Sequence, residues 1–420
     1  MKELKGKYTN AKVYSDTVEF SCIEQIKSMI DSPAFTTPVR IMPDTHAGKG
    51  SVIGFTMSLA DKVVPNTIGV DIGCGIYAYK IKNKENIEGK LWEDIDSSIR
   101  KAVPLGFNYR ESYEETIEEI ENKMACQGKL GPLLSKIGIA ESKALAQLGS
   151  LGGGNHFIEI AESNKDKSIW LLIHTGSRNV GKRVCDYHQE RAIANIEIQR
   201  QAVINYIIET TPEQERDSAL KKAKEADIFN VPKEQCWLEG KQKEEYVQDM
   251  YVAQKFAHVN KRMIKDEICS ALGLEVEEYI ETVHNFIDPR DNVIRKGAIS
   301  AHKGEKVVIP FNMRDGSILA VGKGNEEWNN SAPHGAGRLM ARGVAKRSLK
   351  LEDFRETMKD VWSTSVNSDT LDESPFAYKP KEEIEEAVSE TVEVYDYLVP
   401  LYNLKDSNFN TKKAYGFKTK

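Results

Sequence analysis

An aspartate and a cysteine three residues apart, Asp71 and Cys74, lie in the run GVDIGCG among glycines at 69, 73 and 75. Together they offer a divalent cation a hard oxygen and a soft sulfur. Alone, the pair reads more simply as a buried thiol beside a turn aspartate. Three glycines in seven positions weaken a strand, so they call for a bulge or the close approach of another group.

Three of the eight histidines occupy comparable places. His156 follows GGGN and opens HFIEI, His174 ends IWLLI before TGSR, and His284 ends YIETV before Asn285. A histidine at the mouth of a buried strand, facing a polar turn, is placed to ligate a metal or act on a ligand. With Asp71 and Cys74 these make more donors than a structural tetrahedral zinc needs. If they converge, two metals bridged by the thiolate account for them better than one, with positions left open for a phosphate oxygen. Metals about 4 Å apart serve phosphoryl chemistry by neutralising the attacking and leaving oxygens. His188 and His258 read as packing or surface residues, and His302 as a solvated turn residue. His46 stays open, with Asp44 nearby able to orient a metal-bound histidine from behind.

His334 lies in SAPHGAGR, where Gly335 and Gly337 let the backbone approach a ligand. The following RLMARGVAKRSL reads as a helix whose first N–H groups could face an anion. Arg338, Arg342 and Lys346 would then form one positive stripe. A solvated basic helix is the plainer reading. The functional one is an imidazole that attacks phosphorus and forms a nucleotidyl-histidine, conserving the activation of a nucleoside triphosphate. HAGKGS and GKGNEE complete neither the P-loop nor the dinucleotide fingerprint.

The elements that must position these groups can be read more coarsely. Asp16 could cap a helix carrying Ile23, Ile26, Met29 and Ile30. Glycine-punctuated, strand-like runs fill residues from Val39 to Ile81, and helical periodicity fills 110–147. A long helical, charged region covers about 186–272, interrupted by a Pro-containing stretch at 211–242. Strand patterns return up to the hairpin-like KVVIPFNMRDGSILAVGKG, and YLVPLYNLK is the last apolar segment. Similar Gly/His motifs on distant strands predict one interwoven α+β domain over 1–405, a mixed β-sheet core with peripheral helices, followed by a basic tail at 406–420.

The 420 residues, 40% apolar and 29% charged, suit a soluble globular protein. A net charge of −6 argues against indiscriminate polyanion binding but not against a local basic groove. Six cysteines without a CxxC pair predict reduced thiols. The start lacks an apolar core of signal-peptide length, and IWLLI is too short to cross a bilayer, so a cytoplasmic location is expected.

Taken in order, MPDTHAGKG, GVDIGCG, GSLGGGNHFIE, HTGSRNVGKR, HNF, RKGAISAHKGE, GKGNEE and SAPHGAGR resemble the RtcB family of RNA-splicing ligases from about residue 39 to Lys405. The resemblance implies joining of RNA 3′-phosphate or 2′,3′-cyclic phosphate ends to 5′-hydroxyl ends, with GTP and two Mn²⁺ per site, in tRNA splicing or RNA repair. The RNA partners would be tRNA halves or cleaved RNA. By position, Asp71, Cys74, His156, His174 and His284 fall on metal ligands, with the thiolate bridging. His334 matches the guanylylated histidine. Arg178 resembles an arginine handling RNA or phosphate, and Asp44 and Lys296 match other active-site positions. Nucleotide contacts fall on the stretch Asn155, His156, Phe157, Ile158 and Glu159, and on His284 and Asn285. They also fall on Pro310, Phe311, Asn312 and Met313, on Ser317, on His334, Gly335, Ala336 and Gly337, and on Lys405 for guanine.

The chain departs from the family in IPFNMRDGS, where a small glycine- and serine-rich run is commoner, and in Trp328 before His334. Phe311, Asn312, Arg314 and Trp328 leave the metal donors untouched and the exact nucleotide contacts open. Two other functions compete: a bimetallic phosphoesterase acting on RNA ends without ligation, and a non-catalytic RNA-binding protein. The first needs no nucleotidyl acceptor, and the second needs no complete ligand set.

Overall fold

The computed structural model describes residues 1–111 and 114–407. The run IWLLIHT is buried along its whole length, which requires packing on both faces of the sheet it joins. That sheet contains β1 (Gly75–Ile81), β2 (Phe157–Ser163), β3 (Ile169–Thr175), β4 (Val276–Val283), β5 (Lys306–Asn312), β6 (Gly316–Gly322) and β7 (Val392–Leu404). Their order is β4-β1-β3-β2-β7-β6-β5, with every neighbouring pair antiparallel. The starts of β1 and β2 therefore lie at the same rim as the ends of β3 and β4. Gly75 pairs with both Thr175 and Val283, and Phe157 pairs with His174. Antiparallel pairing thus gathers residues 74, 156, 174 and 284 from four strands.

Strand alternation then sorts the side chains. Ile158 and Ile160 of β2 pack with Ile264 and Ile268, while Phe157 and Ala161 join the cluster on the other face. Fully burying such a side chain contributes roughly 1.5–3 kcal/mol. The region expected to be helical over about 186–272 contains α1 (Arg178–Thr210) and α2 (Gly240–Leu272). Tyr246, Met250, Phe256, Ile264 and Ile268 of α2 are wholly buried. Part of the charged stretch between them is itself a helix, Glu213–Ala223, with no buried residue. Nothing from 197 to 230 is buried, and the arm touches the core chiefly through the half-buried Ile228.

A second sheet orders Lys2–Lys5, Asn10–Val13, Val39–His46, Ile53–Ser58, Val293–Lys296 and Asn285–Ile287. One parallel pair, Asn10–Val13 with Val39–His46, makes it mixed. A ribbon of Ala298–Ser300 and Ser331–Pro333 leads directly into His334. The architecture is the expected α+β arrangement.

Local expectations needed correction. The first helix, Phe20–Ile30, has Glu19 at its N-cap. Asp16 lies too far upstream and instead accepts from the Met1 amine. The strand expected through residues 66–74 is instead the end of a 3₁₀ turn, Pro65–Thr67, and a loop in which Gly69 (φ 89°) and Gly73 (φ 70°) take left-handed conformations. The proposed basic tail lies outside the described residues from 408 onward. Among the described residues, no helix is long and apolar enough to cross a membrane.

Candidate active site

Two glycines explain the opening motif. A Cβ on Gly73 would lie 2.9 Å from the Gln254 Cα, and one on Gly75 would lie 2.1 Å from the Thr282 carbonyl. Helix α2 and strand β4 therefore press on the loop from either side, and this sets Cys74 at the sheet rim.

The five donors meet there. Cys74 Sγ is 3.5 Å from His156 Nε2 and 3.3 Å from His174 Nε2. His174 Nε2 is 3.1 Å from His284 Nε2, and His156 Nε2 is 2.8 Å from Asp71 Oδ2. They form two triads, Asp71–Cys74–His156 and Cys74–His174–His284, in which all ligand atoms lie within 4.8 Å of one another. The thiol belongs to both. His156 Nδ1 bonds the Leu151 carbonyl at 3.0 Å and His174 Nδ1 the Asn155 carbonyl at 3.1 Å, which leaves each Nε2 lone pair facing inward.

Burial keeps His174 and His284 well below the usual histidine range, neutral and able to ligate. Burial pushes Asp71 up, but His156, with Cys74 and His284, outweighs it and holds the carboxyl at about 2. Burial, with Asp71, pushes the Cys74 thiol well up, and a bound cation would reverse that by stabilising the thiolate. The oxygen, sulfur and nitrogen donors fit two divalent ions sharing the thiolate.

His334 stands beside this centre, its ring centroid 4.7 Å from that of His284. Asp44 does not orient a metal ligand, as expected beside His46, but holds His334. Its Oδ2 accepts from His334 Nδ1 at 2.6 Å and from the His334 amide at 3.1 Å. The proton is thereby kept on Nδ1 and the lone pair on Nε2. A Cβ on Gly337 would lie 2.4 Å from the Asp44 carbonyl, so that glycine permits the contact. His46 lines the adjoining cleft, and burial lowers its pKa to about 4.

The cleft, a cavity of about 120 Å³, is lined by Asn155, Phe157, Glu159, His174, Pro310, Phe311, Asn312, Met313, His334, Gly335, Ala336, Gly337 and Lys405, among others. Burial raises Glu159 to about 8, so its carboxyl is neutral at pH 7. Oε2 accepts from Asn403 at 2.8 Å, while Oε1 has no partner. Lys405 Nζ reaches Glu373 at 2.9 Å and lies 5.2 Å from the Phe157 ring centroid.

Other anticipated residues lie off this lining. Ile158 faces the core by strand alternation. Ser317 is buried in β6 between Pro310 and Leu398. Asn285 braces the ligand loop, donating to the Asp71 carbonyl at 3.1 Å and accepting from Gly297 N–H at 3.0 Å. Arg178, at the start of α1, donates to the Gly106 carbonyl (2.6 Å) and Ser150 Oγ (3.1 Å). Lys296 is buried, donating to the carbonyls of Lys49, Ser51 and Asn66. Arg314 turns to Asp315 and Thr357. Trp328 stacks on Tyr14 with centroids 3.5 Å apart. Phe311 and Asn312 are therefore the two departures that reach the cleft. His302 is no solvated turn residue, since its Nε2 lies 3.1 Å from Asp291.

The helix expected immediately after His334 begins only at Arg342, so its N-terminus does not follow the histidine directly. Its cations are engaged: Arg338 and Arg342 pair with Glu373, and Arg342 and Lys346 with Asp372. Burial pushes Glu373 up, but Lys405, Arg342 and Arg338 overcome it and hold the carboxyl at about 2. Sequence reasoning missed Glu373, Tyr378 and Asn403, which also line the cleft. Asn403 could have been found, because it lies two residues before Lys405 in the same extended segment. Glu373 sits in an irregular, 3₁₀-helical stretch without periodicity.

Residues 25–406 match the family model described as tRNA-splicing ligase RtcB. The RNA-splicing ligase RtcB of Escherichia coli K12 is 30% identical over 405 residues, covering 90% of this chain and 92% of the relative. The tRNA-splicing ligases RtcB of Archaeoglobus fulgidus and Pyrobaculum aerophilum are 25% and 26% identical, covering 88% and 83% of both partners respectively.

Proposed function

Because the chain belongs to the RtcB family of RNA-splicing ligases, we propose that it joins RNA 3′-phosphate or 2′,3′-cyclic phosphate ends to 5′-hydroxyl ends through a guanylylated His334. What carries this reading is the placement of His334, its Nδ1 held by Asp44, beside two donor triads that share Cys74. Asp71, Cys74, His156, His174 and His284 would hold two Mn²⁺. When bound, these ions supply charge neutralisation for phosphate oxygens.

The remaining steps use the chain's own groups. The Nε2 lone pair of His334 attacks the α-phosphorus of GTP, a P–N bond forms and pyrophosphate leaves. Asp44 stabilises the positive imidazole that develops. Lys405 and the neutral Glu159, both on the cleft lining, would meet the base, an assignment supported by the unpartnered Oε1 of Glu159. The guanylyl group then passes to the RNA 3′-phosphate, any cyclic phosphate having been opened first, and His334 is released. Attack by the 5′-hydroxyl closes the phosphodiester and expels GMP.

The test is covalent labelling. Incubation with Mn²⁺ and α-labelled GTP, followed by denaturation, should leave an acid-labile, base-stable label that His334→Ala lacks. Absence of label with manganese, magnesium, cobalt and zinc would overturn the reading in favour of a phosphoesterase. Membership of the family supports an RNA-processing role.

A further inference from the structure

Helix α2 delivers two adjacent polar side chains, Asn260 and Lys261, both wholly buried, to the underside of the metal loop. Lys261 Nζ donates to the Gly73 carbonyl at 2.8 Å and the Thr175 carbonyl at 3.2 Å, and lies 4.8 Å from the Tyr77 ring centroid. Gly73 immediately precedes Cys74, and Thr175 immediately follows His174. Asn260 Nδ2 donates to the carbonyls of Gly176 (3.1 Å) and Ser150 (3.2 Å), and its Oδ1 accepts from the Ser150 amide at 3.2 Å. Ser150 begins the loop leading to His156.

An ammonium without a carboxylate partner is costly to bury, and replacing such a group with an apolar one of similar size commonly stabilises a fold. Stability alone therefore does not account for Lys261. Burial lowers its pKa to about 8, with Cys74 and Asp71 pulling the other way. Both of its hydrogen bonds end on the backbone of ligand-bearing segments: Thr175 ends β3, where the ladder pairs it with Gly75, whereas Gly73 lies in the loop beyond that ladder, so the ammonium ties the Cys74 loop to the strand end that carries His174.

We propose that Lys261 is a positioning residue that clamps the Cys74 and His174 segments together, fixing the thiolate where both metal triads can share it. Asn260 extends the same clamp to the His156 loop. The proposal rests on the metal-centre reading above. Groups that orient metal ligands from behind typically change affinity on the order of 10- to 100-fold when removed.

The experiment uses the full chain and Co²⁺, with the thiolate-to-cobalt absorption band and a titration as readouts, and metal-free unfolding as the control. Lys261→Met keeps the length but loses the donors, whereas Lys261→Gln keeps a donor. The expected result is at least tenfold weaker Co²⁺ binding and an altered band in Lys261→Met, with Lys261→Gln within about threefold of the parent chain. Parent-like binding and band in Lys261→Met, or equal losses in both variants, would overturn the proposal. Should Lys261→Met fail to fold, Asn260→Leu decides: at least tenfold weaker Co²⁺ binding supports the clamp and parent-like affinity refutes it. A parent chain that binds no Co²⁺ sinks the metal-centre reading itself, whereas parent binding with an unaffected Lys261→Met sinks only the clamp.

Discussion

Asp44 and Glu159 show how a carboxyl's surroundings set its task. Asp44 is buried against His334 and fixes which ring nitrogen carries the proton. Asp44→Asn removes that charge and should slow self-guanylylation on the order of 10²-fold or more, read by single-turnover labelling with α-labelled GTP. Glu159 is the opposite case, a carboxyl raised by burial to about 8 from an ordinary 4.5. Its folded form holds a proton that the unfolded chain releases. Its contribution is therefore fully present below pH 4.5 and is lost as pH rises toward 8. Glu159→Gln should gain stability relative to the parent chain across that window, by a few kcal/mol at most, and level off above it. Urea unfolding at pH 5, 6.5 and 8 measures the gap.

At the level of loops and strands, backbone space decides what the motif glycines do. Gly73 combines φ 70° with 2.9 Å to the Gln254 Cα, whereas Gly154 has φ 72° and nothing within 4 Å. Gly73→Ala should cost roughly 2–3 kcal/mol and weaken metal binding, while Gly154→Ala should cost about 1 kcal/mol of backbone strain alone. Denaturant midpoints and Co²⁺ titration separate the two. The need for close approach was legible in GVDIGCG, though not which elements approach. The histidines at strand mouths were legible too, because IWLLI and HFIEI are apolar runs that end in a polar residue. What a local pattern could not reveal was pairing at a distance. Asp44 serves His334 rather than a metal-bound histidine, and the basic residues after His334 meet Asp372 and Glu373, which belong to a stretch with no periodic signal. The Ile158 side chain points to the core layer for a simpler reason, since alternate residues of β2 face opposite layers.

For the molecule as a whole, the donors between residues 71 and 284 come together only in the folded chain, so a metal held by them would stabilise the fold. Mn²⁺ at about 100 times its Kd should add about 2.7 kcal/mol to unfolding. Chelation should remove that gain, and Cys74→Ser should largely abolish it by breaking both triads at once. Thermal melts with and without Mn²⁺, and after EDTA, provide the measurement.

The shared rim of β4, β1, β3 and β2 has one more consequence. A slip of one residue between β1 and β3 would swing the His174 imidazole to the opposite side of the sheet and dissolve one triad. Ion capture would thus discriminate the correct strand alignment from its off-by-one competitors, making the metals proofreaders of the architecture that binds them.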